Sequence, residues 1–362
     1  MECDHLLLSE FDRVLINEAV AGADRVFLAP MDKGLSGSSV WQARWTLPDG
    51  RLSKLHVFKI GSTEKLQAEE RAIIDIVSVI DQGFPLARLY GSGTGARSLL
   101  RQEFAGDTIG STFSLRNFIR HPQYQAQPDV LSELIARIYE RRLTAWHYGV
   151  GEARTRTQSI DDAVPWWRPK IDLKRVANAI GYPALDEEIR KFHGLSILEM
   201  CDRVDDIIRR DRIMPIGPVH GDLHAQNVNL DEALNIYLID FGNTTYTWRA
   251  IDFIILEAAV KFASAPAHAP LASLLRCEEL IDERAPYTSL SEADYYGLEL
   301  RRTLAVATKI REQCERSGAE TNIENYRAGL IAVCAAFTSI EWIINRRFLF
   351  HSIAYHLKRM PN

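Results

Sequence analysis

The hydrophobic periodicity of this 362-residue chain changes character near residues 105–110. Before that point short strand-like runs dominate. They lie at 25–29, 39–46, 55–60, 87–91 and 97–104. Gly34-Leu35-Ser36-Gly37-Ser38 joins the first two, and the turn signal Pro48-Asp49-Gly50 joins the second and third, so these three read as an antiparallel meander. A helix is expected over 62–80, where Leu66, Glu70, Ile73, Ile74 and Val77 share one stripe at helical spacing. A shorter helix is expected over 5–20. After Ala105-Gly106-Asp107 the pattern turns helical: Leu131, Leu134, Ile135 and Ile138 mark one amphipathic helix, and the chain from Ala250 onward reads as a series of helices. Residues 149–169, with Trp166-Trp167, read as a loop or insertion. The fold class is α+β. Residues 1–106 form a small antiparallel sheet with its helix, and residues 107–362 form a larger, mainly helical lobe.

Composition narrows the classes of function. A hydrophobic content of 46% is enough for real cores in both parts. The net charge of −5 argues against a dedicated nucleic-acid binder. The five cysteines are odd in number, scattered and without a CxxC pair, which fits a reducing compartment. The most apolar late stretch, 330–350, is broken by Glu341, Arg346 and Arg347; it reads as a buried helix and not as a membrane span. A cytoplasmic protein with no membrane partner is expected.

The chemistry concentrates in two polar groups around an apolar run. His220-Gly221-Asp222-Leu223-His224-Ala225-Gln226-Asn227 sets a carboxylate five residues before a side-chain amide. A carboxylate there suits acceptance of a hydroxyl proton, and an amide oxygen suits a metal ion on nucleotide phosphates. The apolar run 235–239 then ends in Asp240-Phe241-Gly242, where a hard oxygen is placed to ligate Mg2+. A hairpin through Asp231-Glu232 would bring Asp222, Asn227 and Asp240 together. His220 and His224 have a spacing that holds zinc on a helix, but Gly221 and Asp222 disfavour a helix here.

The first part of the chain supplies an independent check. Gly34, Ser36, Gly37 and Ser38 form a glycine-bearing loop whose backbone amides can approach phosphate oxygens, although alone it reads as a hairpin loop. Lys59 sits inside an apolar strand, where an unpaired ammonium is costly. Glu70 sits on the apolar stripe of the next helix, where a carboxylate is equally out of place. Lys59 is therefore expected to contact nucleotide phosphates with Glu70 holding it, while Glu69 is expected to face solvent.

In order and spacing these parts resemble the protein-kinase-like superfamily, on its aminoglycoside phosphotransferase branch. The resemblance runs from the glycine loop through Lys59, Glu70, HGDLHAQN and IDFG, across residues 30–245. It implies a two-lobed fold that uses ATP with Mg2+ or Mn2+. It implies Asp222 as catalytic base, Asn227 and Asp240 as metal ligands, and Lys59 on the α- and β-phosphates. It also implies Gln102, Glu103, Phe104 and Ala105 as the hinge whose backbone meets the adenine. GLSGSSV, VFKIG, HGDLHAQNV and IDFGN with AIDFIILEAAVKF are similar to the phosphotransferase-like ternary complex associated domains of bacterial conflict systems, so a protein partner in such a system enters as an expectation. There Asp252, Phe253, Leu256 and Glu257 match a DFxxLE signature, for which a structural role is expected.

Departures from the protein-kinase pattern bear on the acceptor. Gly221 replaces the arginine that docks a phosphorylated activation loop, and His224 replaces a lysine two residues after the base; a protonated His224 would still reach the transferring phosphate. No APE motif follows Gly242, and helical sequence resumes by Arg249–Ala250. A hydroxyl on a small molecule or atypical acceptor is thus expected over a standard protein substrate. The Trp166-Trp167 pair reads as packing, and Glu278, Glu279, Asp282 and Glu283 read as a solvated helix face. Two other readings remain: a non-catalytic nucleotide-binding sensor or scaffold, and a nucleotidyl transferase on the same fold.

Overall fold

The computed structural model describes residues 8–31, 38–78, 87–91, 95–103, 112–120, 127–147, 154–264, 266, 268–291, 296–340, 343 and 345–361. The chain divides into two compact units: residues 1–115 with 226–245, and residues 116–225 with 246–362.

In the first unit the strand-like runs become β1 (Val26–Pro30), β2 (Ser39–Trp45), β3 (His56–Ser62), β4 (Ala87–Tyr90) and β5 (Arg97–Glu103). They form one antiparallel sheet in the order β1-β2-β3-β5-β4, with β3 at its centre. Helix Glu10–Ala19, capped by the Ser9 side chain, lays Leu15, Ile16 and Ala19 against Trp41, Phe58, Ile60 and Leu99. Each such buried side chain contributes roughly 1.5–3 kcal/mol. Side chains alternate along a strand. Phe58 and Ile60 therefore face this helix, while Val57 and Lys59 face the other way. On that second face Leu55 and Val57 pack with Val40, Tyr237 and Ile239.

Tyr237 and Ile239 come from a distant hairpin. The strands β9 (Val228–Leu230) and β10 (Ile236–Leu238) pair antiparallel, and β9 also pairs with the two-residue strand β6 (Phe113–Ser114). This packing groups Asn227 and Asp240 with the sheet, whereas a division drawn at residue 106 along the sequence assigns them to the helical part. The turn is held by Asp231. Its carboxylate accepts from Asn235 N at 2.8 Å, Asn235 Nδ2 at 2.9 Å and the Tyr237 hydroxyl at 2.9 Å.

The second unit is mainly helical, with a small sheet in the order β11-β8-β7: β7 is Arg154–Gln158, β8 is Arg212–Val219 and β11 is Thr245–Trp248. The stretch expected as a loop over 149–169 thus contains a strand and the short helix Ile160–Ala163 in its described part. Helix Ile251–Ser264 is apolar nearly all round, as a fully buried helix must be. It packs against Gly297–Arg316 and Ile323–Phe337. The apolar stretch 330–350 does not form one helix. Helix Ile323–Phe337 ends inside it, and Arg346–Leu357 begins from an Asn345 cap. Among the described residues no helix is long and apolar enough to cross a membrane, and the four described cysteines are free.

Replacing Asp231 by Ala removes three hydrogen bonds from the β9–β10 turn. We expect a loss of about 1–2 kcal/mol in urea denaturation; an unchanged midpoint would show that the turn does not set the hairpin.

Candidate active site

Lys59 is the side chain around which the first unit's polar groups collect. It lies on the central strand, opposite Val40 on β2 and Leu100 on β5, and is only 7% exposed. Its Nζ donates to Glu69 Oε2 at 2.7 Å and to Asp240 Oδ1 at 2.6 Å. Burial works against the ammonium, but the two carboxylates outweigh it and raise its pKa. Burial pushes the Glu69 carboxyl above its ordinary value, Lys59 opposes this, and Asp240 adds to it.

The carboxylate that meets Lys59 is therefore Glu69 and not Glu70, a correction of one helix position. Helix Thr63–Ala72, continued by a π-helical turn at Ile73–Val77, buries Leu66, Glu69, Ile73 and Val77. Ile74 is 46% exposed. Counting Ile74 into the stripe rotates its centre by one residue, onto Glu70. Glu70 instead accepts the Leu89 backbone N–H of β4 at 2.8 Å, and Glu69 is 3% exposed, not solvated.

The hairpin delivers Asp240. The Ile239 N–H donates to the Asn227 carbonyl at 3.1 Å, one step beyond the last β9–β10 pair. Asn227 and Asp240 consequently lie at the open end of the same ladder. Asp240 adopts φ +66°, a left-handed conformation that costs a non-glycine residue about 1–2 kcal/mol. Two carboxylates share one ammonium here, which leaves a surplus negative charge. That surplus, with the amide oxygen of Asn227, is the hard-oxygen chemistry that suits Mg2+ or a similar cation. Among the described residues no group of three His, Cys, Asp or Glu is spaced to hold a metal.

Of the loop expected to meet phosphate, Ser38 is buried beside β3, and a Cβ on Gly61 would fall 2.3 Å from its Oγ. Glycine at 61 lets the two strands close there. Gly34, Ser36 and Gly37 lie outside the described residues, as do Phe104 and Ala105 of the expected hinge. Gln102 and Glu103 end β5, with Gln102 paired to both Val57 and Ala87, and Glu103 bonded to Lys54.

The second unit holds Asp222. Gly221 has φ +78°, which lets the chain turn sharply after β8. The backbone N–H groups of His220 and Gly221 both donate to the Asp252 carboxylate, at 2.8 and 2.9 Å. Asp252 opens helix Ile251–Ser264 and is completely buried. Burial pushes its carboxyl up to about 7; the two N–H groups oppose this and Asp222 adds to it. The His224 N–H donates to the Asp222 carbonyl at 2.8 Å, and His224 Nε2 stands 3.9 Å from Asp222 Oδ2. Asp252 positions the loop through its backbone, which is the structural role expected from the signature. Phe253 stacks on Tyr139 at 4.2 Å, and Glu257 is bonded by Arg311 and Tyr326. Trp167 is buried as packing. The acidic run divides: Glu278 is buried, Asp282 is half-buried and both are ion-paired, while Glu279 and Glu283 keep to the outer face. His147, beside Asp252, carried no motif or spacing that would mark it in sequence.

With this geometry in hand, comparison supplies the family. The model of the phosphotransferase enzyme family matches residues 56–285, which span Lys59, the Asp222 loop and Asp240. The chain belongs to that family. Among curated proteins the chain has no match. Solved structures similar to it include the amicoumacin kinase hAmiN in complex with AMP-PNP, Ca2+ and Ami, at 14% identity over 97% of this chain and 94% of that one, TM-score 0.48. A thermostable mutant of aminoglycoside phosphotransferase APH(4)-Ia shares 11% identity over 96% of each chain, TM-score 0.49. Spectinomycin phosphotransferase APH(9)-Ia, in complex with ADP and spectinomycin, shares 14% identity over 97% and 94%, TM-score 0.46. At these identities and scores the likenesses carry no argument about the site.

Glu69→Ala should cost about 2 kcal/mol in urea denaturation, because it strips a charged partner from a buried ammonium. Glu70→Ala should cost about 1 kcal/mol, the worth of one backbone acceptor. A larger loss for Glu70→Ala would reverse the assignment of the lysine's partner.

Proposed function

We propose that the chain transfers the γ-phosphoryl group of ATP, with Mg2+, to a hydroxyl on a small-molecule or otherwise atypical acceptor. The observation that carries this reading is the Lys59–Glu69–Asp240 cluster. An ammonium held rigid on the central strand of a sheet is a preorganised partner for phosphate oxygens, and it needs no reorganisation at the moment of transfer. Glu69 fixes its direction. Asn227 and Asp240 would hold the metal ion, which when bound neutralises charge on the phosphates. Asp222 accepts the proton of the attacking hydroxyl and aligns it. His224, if protonated, adds charge near the transferring group. Ser38, with the preceding loop, contributes amides to the phosphates.

Two observations favour a small or atypical acceptor. Helix Ile251–Ser264 starts nine residues after Gly242, with β11 occupying part of that interval, so little chain is left for a peptide-binding segment. The loop before Asp222 is fixed by Asp252 rather than by a phosphorylated segment.

Incubation with γ-labelled and with α-labelled ATP, against a panel of hydroxyl acceptors and the protein itself, separates the alternatives. Transfer of γ-label supports the reading; α-label transfer marks a nucleotidyl transferase; binding without either marks a sensor or scaffold. Asp222→Ala should reduce transfer roughly 100- to 10,000-fold and leave nucleotide affinity nearly unchanged. Normal turnover in that variant would remove Asp222 from the reaction. By calorimetry, Asp240→Ala should lose the Mg2+-dependent part of nucleotide binding; retention of that part would assign the metal to other ligands.

A further inference from the structure

The Asp252 carboxylate has an unusual neighbour. His147, at the end of the short helix Thr144–His147, is fully buried. Neither of its ring nitrogens has a hydrogen-bond partner among the described residues. Its Nε2 lies 3.9 Å from Asp252 Oδ2, an ion-pair separation, and its ring is packed against Phe253 and Tyr139. A buried carboxylate without a cation is costly, and so is a buried imidazole with two idle nitrogens. Each supplies what the other lacks. We propose that His147 and Asp252 hold one proton between them at mildly acidic pH, and that His147, acting through Asp252, is a positioning residue for the loop bearing Asp222. Its effect on turnover rests on the phosphotransfer reading above; the proton pair does not.

Two arrangements satisfy the geometry with one proton. On His147 it makes an imidazolium facing a carboxylate. On Oδ2 it makes a neutral carboxyl that faces Nε2 across 3.9 Å, while Oδ2 still accepts the His220 N–H. The groups facing the pair are Asp222 and the His220 and Gly221 amides on the loop, the Tyr139 phenol, and Arg249 just before the helix. Burial raises the carboxyl to about 7 and lowers the imidazole to about 3, with Arg249 adding to the second shift. The folded pair thus keeps one proton between those limits. The unfolded chain also carries one, between about 3.9 and 6.5, where free Asp and His titrate. The pair's contribution to stability is therefore level in that window. It falls as pH drops below the window, where the unfolded chain binds a second proton. It falls again as pH rises above it towards 7, where only the folded pair keeps its proton.

The test is a titration of the full chain labelled with 15N-histidine and 13C-aspartate. His147→Gln and Asp252→Asn each identify one signal, and both signals are followed so that a shared midpoint and two separate steps are distinguishable. At pH 6 we expect one of the two groups to report the bound proton and both to move in a single step near pH 7. Two bare groups at pH 6, or two separate steps, overturn the proposal. In turnover, His147→Gln should lose roughly 10- to 100-fold below that midpoint with nucleotide KM unchanged. The deficit should close above the midpoint, where the normal pair has already lost its proton. A deficit equal at every pH would mark His147 as structural only and overturn its positioning role. A coupled titration in a protein that transfers no phosphate would sink the phosphotransfer reading and leave the proton pair standing. Transfer with uncoupled titration does the reverse.

Discussion

The cost of burying a charge without a partner organises both units. On the central strand of the sheet, Lys59 is tolerable only because Glu69 and Asp240 meet it. That requirement fixes the rotation of helix Thr63–Ala72 about its axis and the end point of the β9–β10 hairpin. In the second unit helix Ile251–Ser264 carries Asp252, Glu257 and Lys261, all fully or almost fully buried. Burial works to raise the Glu257 carboxyl, and Arg311 and Lys261 overcome it and hold it below its ordinary value. Lys261 reaches across to Glu278, which His356 and Ser352 also bond. Removing one member of such a network strands the others, so these sites resist change more than an apolar core of the same size.

The backbone is shaped by the same need. Asp240 sits in a left-handed conformation, and Gly221 does the same at the other polar group. Neither turn is held by a long ladder. Asp231 ties the hairpin at its closed end, and Asp252 ties the loop by two backbone amides. Carboxylates accepting backbone N–H groups give short irregular segments the rigidity that hydrogen-bonded ladders give to strands. Site residues on such segments keep their places without belonging to any regular element.

Much of this was legible in the chain itself. Strand-like runs and the turn residues between them located all five strands of the main sheet within one or two residues. Lys59 was legible as a charge out of place. The errors share a cause. Ile74 belonged to a helical stripe by type and not by burial, which moved the partner of Lys59 from Glu69 to Glu70. Glu278 and Asp282 looked like a solvated face because their partners Lys261, Arg311 and Arg327 lie on other helices. The apolar stretch 330–350 read as one buried helix because a helix end and a helix start can share one hydrophobic composition.

The sequence alone determined the family, the chain order of the main-sheet strands and Lys59 as a charge that needs a partner. It does so because periodicity, turn chemistry and motif spacing are local properties of the chain. Which carboxylate meets Lys59, that Asp252 holds the loop of Asp222, and that His147 stands beside Asp252 were decided only in three dimensions. A helix offers adjacent positions of nearly equal local merit, and a side chain's partner is chosen by what another element brings within about 3 Å. That distance is set by packing between segments far apart in sequence, and no local pattern records it.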